Sequence, residues 1–298
     1  MHRKLRENKA QLYKQIIMRK GAFIAVLVLI AGMVSFSTAG CSDRKAVPAD
    51  SVAVDSDSVM STDTMSTIIS ETPMPKTADE LFDDFFFNFA ANRKLQYSRI
   101  KFPLTVNKYG KSSELPSNKW KMEHFFMKQD YYTLIFDSQR EMKVVKDTTV
   151  SHVVVERINL SKSVVKQFVF DRIQGKWMLT SVDYKKLGEN NNSSFLKFYK
   201  TFAADSAFQV HSVNDPLQFS GPDPDDEFSN MTGILAPEQW PSFAPELPRH
   251  QIYNILYGQK YGESKRKIFV MRGISNGLET ELTFERRNGH WKLTKLSM

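Results

Sequence analysis

The stretch FVFDRIQGKWMLTSV, residues 168–182, has a second version at the end of the chain, LTFERRNGHWKLTKL, residues 282–296. Six of the fifteen aligned positions are identical. Each stretch holds a two-residue turn, Gln174-Gly175 or Asn288-Gly289, between runs rich in β-branched and aromatic residues. Such dipeptides tolerate the positive φ angles that a tight β-hairpin requires. The repeat therefore predicts two equivalent hairpins in two related units.

A second pair of matching stretches lies earlier in each half, where residues 82–104 align without a gap to residues 195–217. Large apolar side chains recur in both at spacings of three, four and seven, the pattern of one buried helix face. They are Phe82, Phe85, Phe86 and Phe89 in the first copy and Phe195, Phe198, Tyr199 and Phe202 in the second. Between these repeats, YYTLIF (131–136) resembles IYNILY (252–257) at an offset of about 121 residues. Because the three matches keep their order, the sequence predicts a tandem duplication.

Composition divides the chain into four predicted segments: a signal peptide (1–40), a disordered tether (41–76), a first domain (77–188) and a second domain (194–298). The tether is rich in Ser, Thr, Asp and Pro and has no aromatic residue, so it cannot bury enough apolar surface to offset its chain entropy. Each predicted domain has about 110 residues, which is an ordinary domain size. The polar stretch GENNNSS (188–194) is the predicted hinge between them.

The segment after Met18, an alternative translation start to Met1, has the three-part layout of a secretory signal. Its apolar run (22–34) has ~13 residues, too few to cross a bilayer core about 30 Å thick. The sequence TAGC that follows (38–41) resembles a bacterial lipoprotein box, in which the cysteine is lipidated and begins the mature protein. Cys41 is the only cysteine of the chain, so it cannot form an internal disulfide. We expect a lipid anchor on Cys41; the alternative is an ordinary signal peptide with an incidental cysteine.

The basic charge of the chain belongs mostly to the predicted signal. The whole chain has a formal net charge of +8, from 41 Lys and Arg against 33 Asp and Glu. Seven basic residues and one acidic residue lie in residues 1–40, which leaves a net charge of +2 for the rest. No basic cluster interleaved with aromatic residues occurs there. The sequence therefore argues against nucleic acid as a partner.

The distal part of each predicted domain has the pattern of antiparallel strands, with β-branched and aromatic residues between turn signals. Trp177 and Leu179 follow the first hairpin glycine at period two, as Trp291 and Leu293 follow the second, so each pair shares one face of its strand. Burying that face against the Phe-rich helix would contribute several kcal/mol, at ~25 cal/mol per Å² of apolar surface. A helix followed by a long antiparallel sheet gives the fold class α+β.

The helix face FxxFF/YxxF and the closing hairpin G-x-W-x-L resemble those of the nuclear-transport-factor-2-like (NTF2-like) domain. The resemblance covers about 220 of the 298 residues. It implies two tandem cone-shaped domains, each with an N-terminal helix packed in a curved antiparallel sheet that is open at one end. With the predicted lipoprotein signal, the whole chain is similar to Bacteroides-type lipoproteins of unknown function. The shared motifs are packing motifs, so they predict the fold and not the chemistry.

No motif in the sequence defines a reaction. The six histidines lack metal-ligand spacing, and there is no phosphate loop, nucleophile elbow or Cys/His pair. The sequence therefore predicts no cofactor, no metal and no catalytic residue. The acidic loop GPDPDDEF (221–228) raises the question of Ca²⁺, because oxygen-rich loops bind this ion. It lacks the EF-hand pattern, so a solvated acidic loop is the preferred interpretation.

Five side chains are candidate ligand-binding residues of the two cones. They are Trp120, His124, Tyr132, Trp240 and Tyr253. The two tryptophans stand at similar places in the two halves, where their ring faces would stack on a sugar or a peptide. The alternative is that both indoles close the open ends of the cones.

We therefore expect an exported, membrane-anchored lipoprotein that binds a small ligand or an envelope protein without catalysis. One alternative is an enzyme that acts on a small ligand in one cone. The resemblance to NTF2-like enzymes then suggests an acid–base pair, Asp130 with Tyr131 or Tyr132, or Tyr253 with His250. The other alternative is a structural envelope subunit in which neither cone holds a cavity.

Overall fold

A computed structural model of the chain describes residues 79–298, apart from residues 128, 130, 224–225, 227–228, 259–263 and 275–276. The predicted signal peptide, the lipid-attachment residue Cys41 and the tether lie outside the described residues. So does Asp130 of the alternative acid–base pair. Within the described part, no helix is both long and apolar enough to cross a membrane.

Two short helix pairs and one further helical turn precede or interrupt the strands. The helices are α1 (Phe82–Ala91), α2 (Arg93–Ser98), α3 (Ser193–Ala204), α4 (Ser206–Ser212) and α5 (Trp240–Phe243). The chain breaks between α1 and α2 at Asn92, whose side-chain oxygen accepts a hydrogen bond from the Leu95 N–H at 3.0 Å. The chain also breaks between α3 and α4, at Asp205. Its side-chain Oδ1 accepts a hydrogen bond from the Ala207 N–H at 2.9 Å. In each half, an N-cap residue thus starts the second helix.

Twelve strands form one continuous sheet within the described residues. They are β1 (Ile100–Lys108), β2 (Lys111–Leu115), β3 (Tyr131–Phe136), β4 (His152–Asn159), β5 (Val164–Ile173), β6 (Lys176–Lys186), β7 (Val213–Pro222), β8 (Asn230–Leu235), β9 (Gln251–Leu256), β10 (Arg266–Gly273), β11 (Glu279–Arg287) and β12 (His290–Ser297). Their order across the sheet is β2-β1-β6-β5-β4-β9-β3-β10-β11-β12-β7-β8. Two helices followed by six strands therefore occur twice along the chain, with α5 inserted between β8 and β9 in the second half.

The two hairpins predicted from the repeated stretch are confirmed. β5 turns into β6 at Gln174-Gly175, and β11 turns into β12 at Asn288-Gly289. The φ angles of these four residues are 50°, 77°, 50° and 81°. Positive φ at both central residues is what a type I′ hairpin turn requires.

The tryptophan of each hairpin packs on the first phenylalanine of the helix in its own half. The ring centroids of Trp177 and Phe82 are 5.0 Å apart, and those of Trp291 and Phe195 are 5.5 Å apart. An arginine of the preceding strand lies over each indole ring, at 4.8 Å and 5.6 Å. Aromatic pairs contribute about 0.5–1.5 kcal/mol beyond the burial of their area. The repeated stretch therefore specifies the contact between hairpin and helix.

The two halves exchange one strand each. β3 of the first half pairs with β10 of the second half, and β9 of the second half pairs with β4 of the first. The exchanged strands β3 and β9 run parallel to each other and meet at Thr133 and Asn254. Sequential strands usually pair with each other, so this arrangement is not the one that local sequence would suggest. The two halves are consequently joined through the middle of the sheet.

The strand pairing corrects the match between YYTLIF and IYNILY by one residue. Val155 of β4 and Phe269 of β10 correspond, because they stand 114 residues apart like the two hairpins. Their partners on the exchanged strands are Ile255 and Ile135, which are 120 residues apart. The expected offset of about 121 is therefore wrong by one residue. The tyrosines that this offset aligned do not occupy equivalent positions.

The central strands are buried on both faces, and each face belongs to a different half. On β3, Leu134 lies in the core around α1, whereas Ile135 lies in the core around α3. On β10, Val270 lies in the core around α1, and Phe269 lies in the core around α3. Successive side chains of a strand point to opposite faces. An approximate two-fold axis along the strands places equivalent side chains of the two halves on opposite faces of the sheet. It also makes the two central strands, β3 and β9, run parallel to each other.

Candidate functional site

A cleft of about 1120 Å³ lies at one end of the second half. The start of β3, the end of β10 and the start of β11 contribute to it, together with the segment 245–251 that leads into β9. Its lining mixes apolar, hydrogen-bonding and charged side chains, among them Tyr131, Glu246, Arg249, Met271, Leu278 and Thr280. This lining and volume are close to those of sites for small ligands.

Two tyrosines give this end of the second half its hydrogen-bonding character. Tyr131 lines the cleft, and burial together with the nearby Glu246 carboxylate raises the pKa of its phenol. Tyr199 of α3 is buried and stacks on Phe269 with ring centroids 4.6 Å apart. Burial, and to a lesser degree Tyr131, raises the pKa of Tyr199. Its hydroxyl has no hydrogen-bond partner among the described residues, which leaves a buried polar group unsatisfied near the cleft.

The corresponding place in the first half is closed by an ion-pair cluster. Arg157 lies opposite Lys166 on β4 and β5; the residues at the same offset of 114 on β10 and β11 are Met271 and Thr280. The carboxylate of Glu123 lies 2.9 Å from Arg157 Nη1 and 2.9 Å from Lys166 Nζ. One half therefore fills this end with its own charged side chains, whereas the other has uncharged residues at these two strand positions and an open cleft.

Each half also places a tryptophan inside this end, held by a glutamine of its second helix. Trp120 Nε1 donates to Gln96 Oε1 at 3.2 Å, and Trp240 Nε1 donates to Gln209 Oε1 at 3.0 Å. Trp120 is 7% exposed and Trp240 is 0% exposed. Neither ring face is open to a ligand in this arrangement. Both indoles are therefore enclosed, and whether they close the ends of the two halves stays a prediction.

The chain matches, over residues 61–298, a family model described as a domain of unknown function (DUF4348). The chain belongs to this family. A crystal structure of an NTF2-like protein from Bacteroides fragilis is 41% identical in sequence, with a TM-score of 0.70, and the match covers 76% of this chain and 98% of that chain. No curated protein matches the chain. The prediction of an α+β, NTF2-like protein of unknown function is therefore confirmed.

This DUF4348 chain places Tyr132, one of the predicted ligand residues, in a buried network beside α1. The Tyr132 hydroxyl donates to Asp83 Oδ2 at 3.2 Å, and the Tyr257 hydroxyl donates to the other carboxylate oxygen. Burial raises the pKa of Asp83, although both phenol donors oppose the shift. Sequence reasoning missed Asp83 because it lies on the polar side of the predicted helix face. Tyr132 thus contacts a carboxylate of its own core and does not line the cleft.

The other residues singled out in the sequence of this DUF4348 chain lie in separate places. Tyr253 is buried, and burial raises the pKa of its phenol against the opposing effect of Arg157 nearby. His124 is exposed beside Glu123. Tyr131 and His250, from the alternative acid–base pairs, both line the second-half cleft. Whether any of the predicted residues binds a ligand stays a prediction.

No metal centre is assembled in the described part of this DUF4348 chain, where no three His, Cys, Asp or Glu side chains come together. Asp225 and Glu227 of the acidic loop lie outside the described residues. The interpretation of this loop as solvated therefore stays a prediction.

Proposed function

We propose that the chain is an exported, lipid-anchored protein that binds a small, largely uncharged ligand in the cleft of its second half, without catalysing a reaction. The difference between the two halves supports this proposal most directly. The two halves keep the same helix–hairpin contacts, but Arg157 and Lys166 of the first half correspond to Met271 and Thr280 of the second. The second half thereby has, in place of two partly buried cations, a lining that a ligand can contact.

The lining of the cleft suits an amphipathic ligand. Met271 and Leu278 offer apolar surface to the cleft, and Leu278 is 68% exposed. Tyr131 and Thr280 offer hydroxyl groups, and the buried Tyr199 hydroxyl lacks a partner among the described residues. A ligand with hydroxyl or amide groups and one apolar face, the size of a short oligosaccharide or peptide, matches these groups.

The proposal also covers the domain organisation of the protein and its attachment to a membrane. We infer two tandem NTF2-like cones, in residues 77–188 and 194–298, fused through the exchanged strands β3 and β9. A lipid on Cys41 would attach them to a bacterial membrane through the tether (41–76). A disordered tether of about 35 residues, as predicted from its composition, would reach roughly 30–35 Å.

Native mass spectrometry of the full chain, extracted from its envelope in mild detergent, tests the binding proposal. The wild type is expected to carry a reproducible non-covalent adduct. The double variant Met271→Arg with Thr280→Lys should lose the adduct, because it puts the side chains of the first half into the cleft. Ile173→Lys, at an exposed position next to the first hairpin turn, is the control and should retain it.

Two outcomes would count against the proposal. An adduct that survives in the double variant would locate the ligand elsewhere on the protein. A wild type without any adduct, whose unfolding temperature is also unchanged by the small-molecule fraction of the envelope, would favour a structural role or an envelope-protein partner.

A further inference from the structure

A second polar site lies in the first half, on one row of neighbouring residues across the sheet. Tyr253, Arg157, Lys166 and Tyr184 follow one another on the adjacent strands β9, β4, β5 and β6. Tyr253 belongs to the core around α1, and Tyr184 packs against that core. Directly paired residues of adjacent strands point to the same face of a sheet. Two cations therefore lie side by side, between two tyrosines, at the edge of an apolar core.

The environment of these cations is aromatic and carries excess positive charge. Lys166 Nζ lies 4.3 Å from the ring centroid of Phe168 and 5.8 Å from that of Tyr184. Lys108 Nζ lies 5.1 Å from the Tyr184 ring. Burial lowers the pKa of Lys166, and Arg157 and Lys108 lower it further, against the opposing effect of Glu123. Among the described residues at this place, the carboxylate of Glu123 pairs with Arg157 and Lys166, and Lys108 adds a third, exposed cation over Tyr184.

Glu123 lies in a segment outside the sheet, and its side-chain carboxylate forms the ion pairs with Arg157 and Lys166. Its main chain is fixed by Gln96, which accepts from the Glu123 N–H at 3.2 Å and donates to the Glu123 carbonyl at 2.6 Å. The side chains of Arg157 and Lys166 are 31% and 14% exposed, and that of Glu123 is 18% exposed. The carboxylate can therefore swing out to solvent while the main chain stays in place.

We propose that the row Tyr253–Arg157–Lys166–Tyr184, here called the cationic row, is a binding site for a carboxylate-bearing ligand, and that Glu123 occupies it in the free protein. A guanidinium and an ammonium at one place bind a carboxylate by charge-assisted hydrogen bonds. The ligand carboxylate would take over the two contacts that Glu123 now makes. The second half has uncharged Met271 and Thr280 at the corresponding positions, so this site is confined to the first half.

Acetate is the probe for this proposal, with chloride at equal ionic strength as the control for screening. Thermal unfolding of the full chain is followed while acetate replaces chloride. A tethered carboxylate competes at an effective concentration of about millimolar or more. The variant Glu123→Gln, freed of this competitor, should therefore show saturable stabilisation at least about tenfold more sensitive to acetate than the wild type.

Two variants give the proposal its controls. Glu123→Gln combined with Lys166→Thr, the residue of the second half, should lose the acetate response. Glu114→Gln removes the same charge on the exposed strand β2 and should behave like the wild type. An acetate response that is absent in Glu123→Gln, or that persists with Lys166→Thr, overturns the proposal.

A spectroscopic measurement decides the case if Glu123→Gln does not fold. The Arg157 Nε–Hε resonance of the wild-type full chain is then followed during an acetate titration. A saturable shift that chloride does not reproduce supports the site. An unchanged resonance at the highest soluble acetate concentration overturns it.

Discussion

Val155 of β4 pairs with Ile255 of β9, so the second half supplies the strand that completes the sheet of the first. The reciprocal pair is Phe269 with Ile135, by which the first half completes the sheet of the second. Strand exchange of this kind ordinarily joins two separate chains. Here one chain contains both partners, and each half depends on the other for one inner strand.

The first prediction concerns the halves expressed separately. Residues 77–188 alone would leave the edge of β4 unpaired and the apolar side chains of β3 without their partner strand, which favours aggregation. We expect this half alone to be aggregated or to lack cooperative unfolding, as judged by size-exclusion chromatography and near-ultraviolet circular dichroism. Mixing it with residues 194–298 under refolding conditions should restore one cooperative transition. A monomeric first half that unfolds cooperatively by itself would contradict the dependence.

A buried carboxylate marks the junction of the two halves. Glu156 is 0% exposed and accepts hydrogen bonds from the side-chain amides of Gln167 at 2.8 Å, Asn190 at 2.7 Å and Asn254 at 3.0 Å. Asn190 comes from the segment predicted as a hinge, and Asn254 comes from the exchanged strand β9. Burial raises the pKa of Glu156, although the three amides oppose the shift. Its carboxyl therefore ties three separate parts of the fold together, and its pKa lies above the ordinary value.

The second prediction follows from this raised pKa. Between the unfolded pKa of Glu, about 4.3, and the higher folded pKa, the folded state holds a proton that the unfolded state has released. Stability of the wild type should therefore fall as pH rises through this window, relative to Glu156→Gln. The amide of the variant can be accommodated, because Asn254 Oδ1 has no partner among the described residues and can accept its N–H after a flip. Urea unfolding at a series of pH values measures the difference.

The control for this pH dependence is Glu114→Gln on the exposed strand β2, which should follow the wild-type curve. Parallel pH curves for the wild type and Glu156→Gln would show that the pKa of Glu156 is the same in the folded and unfolded states. That outcome would contradict the raised pKa.

The third prediction concerns Tyr199, whose equivalent in the first half is Phe86. Tyr199→Phe removes a hydroxyl that is buried without a partner in the described part of the chain, so the free protein should gain about 1 kcal/mol of unfolding free energy. If the ligand of the cleft supplies the missing partner, the same variant should bind it more weakly. Denaturant unfolding gives the first quantity, and the ligand-induced shift of the unfolding midpoint gives the second. A loss of stability in the free variant would indicate a partner for this hydroxyl.

The fourth prediction concerns the indole of Trp240. Trp240→Phe removes the hydrogen bond to Gln209 and leaves the buried amide oxygen without its donor, which should cost at least about 1–3 kcal/mol. Gln209→Met in the same background removes the stranded acceptor but also the hydrogen bond from Gln209 Nε2 to the Phe202 carbonyl at 2.8 Å, so it should recover only part of this loss. A double-mutant cycle in urea measures the coupling. Strictly additive effects would mean that the Trp240–Gln209 contact contributes nothing specific.

The fifth prediction tests the membrane anchor. Cys41→Ser removes the thiol that a lipid would modify, and each buried CH₂ of such a lipid contributes about 0.8 kcal/mol to membrane attachment. We expect the variant in the soluble fraction and the wild type in the membrane fraction after cell fractionation. Ser42→Cys, with Cys41 intact, is the matched control and should remain with the membrane. A Cys41→Ser protein that still sediments with membranes would rule out the lipid assignment.

Local pattern predicted much of the fold and little of the candidate site. The helix faces, the hairpins and the α+β class depend on contacts close in sequence or on periodicity, which a single chain displays directly. The cationic row could not be foreseen, because Glu123, Arg157 and Lys166 come from three separate segments with no characteristic spacing. At an offset of 114, Arg157 corresponds to Met271, but Glu156 and Ile158 of the same strand also differ in charge from their counterparts Val270 and Arg272, so this change did not stand out.

The sequence by itself determined the repeated stretches, the type of each main element and the contact between hairpin tryptophan and helix phenylalanine, because these depend on residue periodicity and short turns. Only the tertiary structure decided which strand lies beside which. β3 and β9 are apolar on both faces, so their composition is compatible with pairing inside their own half or across it. The pairing across the two halves is decided by burial between residues far apart in the sequence. This burial places the two faces of β3 and β9 in two different cores. It also leaves one half closed by Glu123 and the other half with an open cleft.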